Sequence, residues 1–368
     1  MKPSTIKSDV YFIKLKGPQA RRPCLQKLLQ EIDPFSEYKK DEFIPVKLTI
    51  GDSRCIYHLS PELVKLVVAE IKKKKAKPFL FDTNVIYKGK RLNAVDHLTL
   101  AQNKGFSHSR VGAPFIIADG LVGHDGKEHK LESEYIEKIK LPSFIGMVDS
   151  LVVLSHVTCH ILSGFAGSLK NVAMGMVCKP TKQALHSSLK PHVIEQKCAS
   201  CGLCIEICPA NAIELTTPTA GVTHPRGGGG KAAIDQSKCI GCGECLCACK
   251  FDAIFINWGE DHDVFAKRMI DAAQFILSKF KNKLFVNLAF DVAKECDCIS
   301  TKNEKIVCQD IGILASKDIV ALDKATLDLI NKDEDIIYKE KSQTTHKTML
   351  EYAHKKGLGN LSYNLIEL

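Results

Sequence analysis

LVVLSHVTCHILSGFAGSLKNVAMGM, from Leu151 to Met176, contains one complete unit of the fold. Leu151-Val-Val-Leu154 is a short continuous apolar run, the pattern of a strand buried on both faces. A glycine-bearing turn, Gly164 to Gly167, leads into a helix around Leu169 to Met176. Strand, turn and helix in that order form the repeating element of an open α/β sheet.

The same alternation extends toward the N-terminus. Val46 to Ile50 reads as a strand, and Ser60 caps a helix with Pro61 at its first position. Leu63, Val64, Val67, Val68 and Ile71 recur at helical spacing and give that helix a buried face. The apolar run Pro78 to Phe81, a helix near Ala94 to Asn103 and the strand Phe115 to Ala118 follow. Toward the C-terminus come a helix over about Val264 to Phe280, strands at Leu284 to Leu288 and Ile311 to Ala315, and helices near Val320 to Asn331 and Thr348 to Lys356. The fold class expected is α/β, a mostly parallel sheet with helices on both faces. A small α+β ferredoxin-like module interrupts it. The chain divides into an N-terminal α/β part (1–190), the module (191–258) and a C-terminal α/β part (259–368). One α/β domain with an insertion is the economical organisation, and two separate α/β domains are the alternative.

The interruption is rich in cysteine. Of 16 cysteines in 368 residues, those from Cys198 to Cys249 form two runs. The first is Cys198-x2-Cys201-x2-Cys204-x3-Cys208-Pro209, and the second is Cys239-x2-Cys242-x2-Cys245-x3-Cys249. This is the spacing of bacterial two-cluster ferredoxins, in which the fourth cysteine serves the other cluster. Three thiolates two residues apart wrap a loop around one face of a cubane, and the fourth lies a helical turn on. One 4Fe–4S cluster is therefore expected on Cys198, Cys201, Cys204 and Cys249. A second is expected on Cys239, Cys242, Cys245 and Cys208. An internal repeat agrees: a shift of 41 residues lays Lys197-Cys198 on Lys238-Cys239, Gly202 on Gly243 and Ala212-Ile213 on Ala253-Ile254. Zinc ribbons also use paired cysteines, but in two pairs rather than three closely spaced thiols plus a fourth. Lys250 stands where the first run has Pro209. Cys247, at the place of Glu206, reads as a bystander, and Thr216 to Lys231 reads as a surface loop between the halves.

The formal charge is +9, but the lysines lie in scattered runs such as Lys72 to Lys75 and no nucleic-acid motif accompanies them. They read as a solvated surface, with docking of an acidic redox partner as the functional alternative. Met1 to Gly17 lacks the apolar core and cleavage site of a signal peptide, and no stretch has the length of a membrane helix. The localisation expected is cytoplasmic. Clustered thiols there mean metal or redox chemistry, in keeping with a low-oxygen host.

Taken together, these segments resemble the domain-of-unknown-function 362 family of iron–sulfur-centre proteins, from about Val46 to Leu368. The resemblance rests on Phe81-Asp-Thr-Asn84, Arg91 to His97, Ala113 to Gly120, Ser155-His156, His160, Gly164-Phe165, Gly167, Leu169-Lys170-Asn171 and Met174-Gly175. Cys296-Asp-Cys298 and Asp310 to Ala315 complete it. It implies an inserted double-cluster ferredoxin but no defined reaction. Thr158 and Cys159 stand between the paired histidines where the family commonly has Lys and Gly, so no role of that lysine carries over.

With the resemblance, a second site comes into view. His156, His160 and Lys170 are the candidate catalytic residues, because ligands of open parallel sheets bind at strand ends leading into helices. If His156 to His160 begins a helical turn, the two imidazoles share a face and could bind a metal; otherwise one bonds locally and the other is solvated. Cys296-Asp-Cys298 could chelate a soft metal, cycle as a redox couple, or be two ordinary loop thiols. The Gly164–Gly167 turn could cradle an anion at a helix N-terminus. Asp82, Asn84, Asp96, His97, Asn171 and His186 are further candidates for the same cleft. Cys24, Cys55, Cys159, Cys178 and Cys308 read as core or incidental thiols. Three functions follow: electron transfer to or from a partner protein through the module, a ferredoxin-fed reductase (an oxidoreductase) acting on a small-molecule substrate near His156 and His160, or a non-catalytic sensor or assembly factor whose clusters report redox state.

Overall fold

The computed structural model describes residues 7–87, 89–186, 190–216, 230–241, 245, 248–251, 253–255, 260–298, 302 and 304–368, the side chains of 260 and 261 excepted. Cys242, Cys247, the module boundary at Trp258 and most of the loop between Thr216 and Lys231 lie outside the described residues.

Eight strands form the central sheet. They are β1 (Ser8–Lys14), β2 (Phe43–Lys47), β3 (Lys77–Asp82), β4 (Phe115–Ile117), β7 (Ser150–His156), β14 (Asn282–Ala289), β15 (Gly312–Ser316) and β16 (Tyr363–Glu367), in the order β16-β1-β15-β14-β7-β2-β3-β4. All run in one direction except β15, which is antiparallel to both neighbours. Among the described residues no helix crosses over between β14 and β15, and the chain returns antiparallel. The α/β class stands as the sequence indicated; β15 falls on the expected strand Ile311 to Ala315, while β1, β16 and the reversed direction of β15 are the part that it did not reveal. Strands from before and after the cysteine-rich stretch share this sheet: β7 pairs β14 in parallel from Ser150↔Asn282 to His156↔Leu288.

The alternation of side chains along each strand divides the core in two. Leu151 and Val153 face one side with α5 (Ser168–Gly175), α8 (Glu260–Leu277), α9 (Ile319–Ile330) and α11 (Thr345–Lys355). Val152 and Leu154 face the other with α1 (Arg21–Ile32), α2 (Pro61–Lys73) and α3 (Ala94–Asn103). Local signals held where they were strongest. The Ser60 hydroxyl accepts the N–H of Glu62, Pro61 opens α2, and Leu63, Val64, Val67, Val68 and Ile71 are its buried residues. The expected strand Val46–Ile50 lies instead at Phe43–Lys47, because pairing with β3 runs from Phe43↔Lys77 to Lys47↔Phe81. Among the described residues no helix is long and apolar enough to cross a membrane.

The cysteine-rich stretch carries two small antiparallel ladders. β10 (His192–Val193) pairs β13 (Ile254–Phe255), and β11 (Ile213–Leu215) pairs β12 (Ala232–Ile234). The 41-residue shift carries Ile213 onto Ile254 and His192 onto Ala233, so it exchanges the two ladders. Each ladder joins one half of the repeat to the other. Ile213 and Ile254 are buried in one cluster with Cys204, Cys208 and Cys245.

Candidate functional site

The cleft opens at the C-terminal ends of β3 and β7, where an open α/β sheet places its ligands. It is lined by Asp82 and Thr83 of β3 and its exit, by Arg91, by Ser155 and His156 of β7, by Lys170, Asn171 and Met174 of α5, by Lys182 and His186 of α6 (Lys179–His186), and by Asp297 and Cys298. It encloses about 720 Å³ including its open mouth.

An ion network forms its floor. Lys47 Nζ donates to Asp82 Oδ1 at 3.0 Å, to Asn171 Oδ1 at 2.8 Å and to the carbonyl of Leu48 at 2.9 Å. The close passage of Lys47 requires Gly175, since a Cβ there would stand 2.4 Å from Lys47 Cε. Asp82 Oδ2 lies 3.4 Å from Arg91 Nη1 and 3.7 Å from His97 Nε2. Burial pushes the His97 imidazole down to about 3, outweighing the pull of Asp82, so the ring is neutral. Arg91 Nη2 donates to the carbonyls of Asp297 at 3.0 Å and Cys298 at 2.7 Å, which ties the Cys-Asp-Cys loop to the floor. Among the described residues Lys182 Nζ meets neutral acceptors: Thr83 Oγ1, the Asn84 carbonyl and the Val177 carbonyl. Burial lowers Lys182 to about 8, against the opposing influence of Asp119 and Asp82.

Lys170 is held differently. Its helix is capped from across the fold by Asp323, which accepts the N–H groups of Ser168 and Leu169, both at 2.9 Å. Gly167 is required here, because a Cβ would stand 2.5 Å from Asp323 Oδ1. The turn therefore does not cradle an external anion as the sequence suggested; the protein supplies the carboxylate itself. Lys170 projects from the first turn into the cleft. Among the described residues its polar neighbour is a sulfur, Cys296 Sγ at 3.9 Å, and no oxygen bonds it. Burial brings it down to about 8, against the pull of Asp297.

The two histidines do not share a helical turn. The segment is extended, β7 ending at His156 and β8 (Thr158–His160) pairing with β9 (Gly164–Ala166). This corrects the paired-imidazole metal reading, because an extended backbone gives the rings separate environments. His156 Nε2 meets the Phe290 carbonyl at 3.1 Å, and its Nδ1 lies 3.7 Å from Asp297 Oδ2, an ion-pair distance too long for a hydrogen bond. His160 Nδ1 accepts the N–H groups of Leu162 and Ser163 at 3.2 and 3.0 Å. His160 instead joins the Cys-x-Cys pair: one ligand atom each of His160, Cys296 and Cys298 lie within 4.8 Å of one another, a grouping that could hold a metal ion. Cys296 and Cys298 are joined as a disulfide.

Of the remaining candidates, Asn84 is buried on Asp119 and the Gly120 carbonyl, and Asp96 sits in the first turn of α3 beside its cap Asn93. Neither lines the cleft. Lys47 and Lys182 went unnoticed in the sequence, since an isolated lysine carries no periodicity that separates a buried ammonium from a surface one. Cys55, Cys159 and Cys178 are buried, Cys24 and Cys308 half-buried.

In the module, Cys198, Cys201, Cys204 and Cys249 line a single cavity together with Val193, Leu215, Ala232 and Ile254. The N–H groups of Ala212 and Ala253, equivalent under the repeat, each donate to a cysteine sulfur four residues back, Cys208 and Cys249, at 3.3 Å. The N–H of Ala232 reaches Cys198 Sγ at 3.4 Å. The module touches the cleft: Val85, Ile86 and Tyr87 line the cleft and pack against Ile240, next to Cys239, and against Cys298.

An almost parallel α/β sheet, with a polar cleft at its strand ends and a grouped His-Cys-Cys set beside it, defines a candidate metal- or cofactor-associated α/β protein. The chain belongs to the family described as Domain of unknown function (DUF362), whose model matches residues 44–328. A search of curated proteins finds no match. Among solved structures, the chain is similar to the lactate racemase apoprotein from Thermoanaerobacterium thermosaccharolyticum, with 12% identity and a TM-score of 0.38 over 85% of this chain and 55% of that one. It is also similar to a Thermotoga maritima protein solved by structural genomics, with 11% identity and a TM-score of 0.44 over 93% of this chain and 60% of that one. The chain thus spans less than two thirds of either structure, and likenesses this distant carry no functional argument.

Proposed function

We propose that the chain is an iron–sulfur oxidoreductase in which a two-cluster module exchanges electrons with a small polar substrate held in the α/β cleft. The observation that carries this reading is the shared wall: Val85, Ile86 and Tyr87 face the cleft on one side and meet Ile240 of the second cysteine run on the other.

The residues of the module fit clusters. Four thiols from opposite halves of the repeat, Cys198, Cys201, Cys204 and Cys249, face one cavity with apolar walls. The amide donors aimed at Cys208, Cys249 and Cys198 would offset negative charge on their sulfurs and tune the potential. A bound 4Fe–4S cluster would supply one-electron chemistry. In the cleft, the ammonium of Lys170 and the ring of His156 would orient a substrate, with Arg91 and Asp82 holding the frame.

The second reading, electron transfer to a partner protein through the module, is favoured by the thin cover over the cysteines, of which Cys198, Cys201, Cys239 and Cys249 are only half-buried. Iron and sulfide analysis with low-temperature EPR on anaerobically purified protein tests both readings at once. About eight irons per chain are expected for two clusters, and a markedly lower content in intact protein would reject them. Substitution of His156 by Ala then separates them. Unchanged binding of small polar molecules, with unchanged electron uptake, would leave only the partner-protein reading.

A further inference from the structure

We propose that Cys296 and Cys298 form a redox-active disulfide–dithiol couple standing between the cysteine-rich module and the cleft. This rests on the iron–sulfur reading of the module for its electron donor, and on the geometry alone for the couple itself.

Three observations converge on the pair. The first is position. Cys298 lines the cleft and packs in one small apolar cluster with Ile240, the residue that follows Cys239. The second is the electrostatic setting of the other sulfur. Lys170 Nζ lies 3.9 Å from Cys296 Sγ and has no oxygen partner among the described residues. A cation that leaves water for a site beside sulfur gains most when that sulfur is a thiolate. The third is the frame. Arg91 holds the carbonyls of Asp297 and Cys298, and the Asp52 N–H donates to the Asp297 carbonyl at 3.2 Å. The loop is thereby anchored by contacts that do not depend on the S–S bond, so it can stay in place when the bond opens.

His160 decides between a couple and a metal site. Its Nδ1 lone pair is occupied by the N–H groups of Leu162 and Ser163, which assigns the ring proton to Nε2. An imidazole in that state keeps its one lone pair on backbone amides that a metal would have to displace, whereas its N–H remains to be given to a thiolate.

The step balances within these groups. Reduction breaks the S–S bond and takes two electrons, one at a time, from two iron–sulfur centres that each carry one. Cys298 takes one proton from solvent to become a thiol, and Cys296 becomes a thiolate beside the Lys170 ammonium. Two one-electron centres match one two-electron couple in number.

The test uses the full chain, purified without oxygen, with its iron content measured first. Equilibration across a series of dithiothreitol redox ratios, acid quenching, alkylation and peptide mass spectrometry read the state of the pair without reference to iron. The expected result is a peptide that converts between zero and two alkyl groups, its labelled-to-unlabelled ratio changing tenfold for each tenfold change in the dithiothreitol ratio. Lys170→Gln should lower the labelled-to-unlabelled ratio about tenfold at a given dithiothreitol ratio, and Lys170→Arg should restore most of it. In iron-loaded protein, reduction by a photochemical one-electron donor should open both cysteines to alkylation at a cost of two electrons per chain, over and above any electrons the clusters retain as bleached visible absorbance. Labelling at every ratio would overturn the couple, as would a stoichiometric metal on the pair released by a chelator. A couple that titrates in iron-free protein while the native preparation also lacks iron would leave the couple standing and sink the module reading. Loaded clusters that never reduce the pair would overturn the link between them.

Discussion

Asp323 accepts the backbone N–H of Leu169 at 2.9 Å across 154 residues of sequence, and its other oxygen accepts the N–H of Ser168 at the same distance. Asn287 Nδ2 adds a third bond at 2.8 Å. A carboxylate at the start of α5 satisfies donors that the helix itself leaves open and complements its dipole. It also fixes the turn from which Lys170 projects. Asp323→Ala should remove about 2–4 kcal/mol of stability by leaving buried donors unpaired. Chemical denaturation measures this. Asp323→Asn keeps the size but brings an amide N–H toward other N–H groups, so it should recover little of the loss.

Buried lysines set the alkaline side of the stability profile. Burial lowers Lys182 from 10.5 to about 8, and the unfolded chain holds that proton up to its ordinary value. Between those values the unfolded state binds more protons than the native one, so stability rises with pH across that window. Below pH 8 the full cost remains, on the order of 3 kcal/mol. Lys170 adds a second contribution of the same sign. Melting temperatures from pH 7 to 10 should therefore climb more in the wild type than in Lys182→Met. Parallel profiles for the two proteins would contradict the assignment.

The acid side follows from the imidazoles. Burial holds His186 near 4 and His97 near 3, against 6.5 when unfolded. As pH falls through 6.5 the unfolded chain takes up protons that the native rings refuse, and stability declines down to those lower values. His97→Gln should flatten the decline between pH 6 and 4 in a denaturant titration series, and among the described residues neither ring nitrogen of His97 has a hydrogen-bond partner to lose.

How much of this was legible in the sequence depends on the kind of signal. The buried face of α2 and its Ser60 cap are periodic and local, and they were read residue by residue. The cysteine spacing and its 41-residue repeat are equally local, and the exchanged ladders follow the same shift. His156-x3-His160 fits a helix as well as a bent strand, and only pairing with Gly164 to Ala166 selects the strand. The anion cradle was misread because its occupant, Asp323, comes from a distant helix. Lys47 and Lys182 were invisible for the same reason: their burial is a property of the sheet ends that assemble around them.

Arg91 joins the two halves of the site, and removing it should show how far they depend on each other. Its side chain is 2% exposed, pairs with Asp82 at 3.4 Å and with Asp52 at 3.7 Å, and carries the carbonyls of Asp297 and Cys298. Removing one partner from a buried ion pair leaves an uncompensated charge, at a cost of about 3–5 kcal/mol. Arg91→Met is expected to lose stability in that range. A second substitution, Asp82→Asn, should recover part of it, because the stranded carboxylate is then gone. Arg91→Lys keeps the charge but cannot reach two carbonyls and a carboxylate from a single nitrogen with the fork geometry of a guanidinium. It should therefore retain more stability than Arg91→Met while loosening the Cys-Asp-Cys loop. Hydrogen exchange at the Asp52 amide, which bonds the Asp297 carbonyl at 3.2 Å, reports that loosening directly. Wild-type protection of this amide in Arg91→Lys would show that the loop is held without the fork.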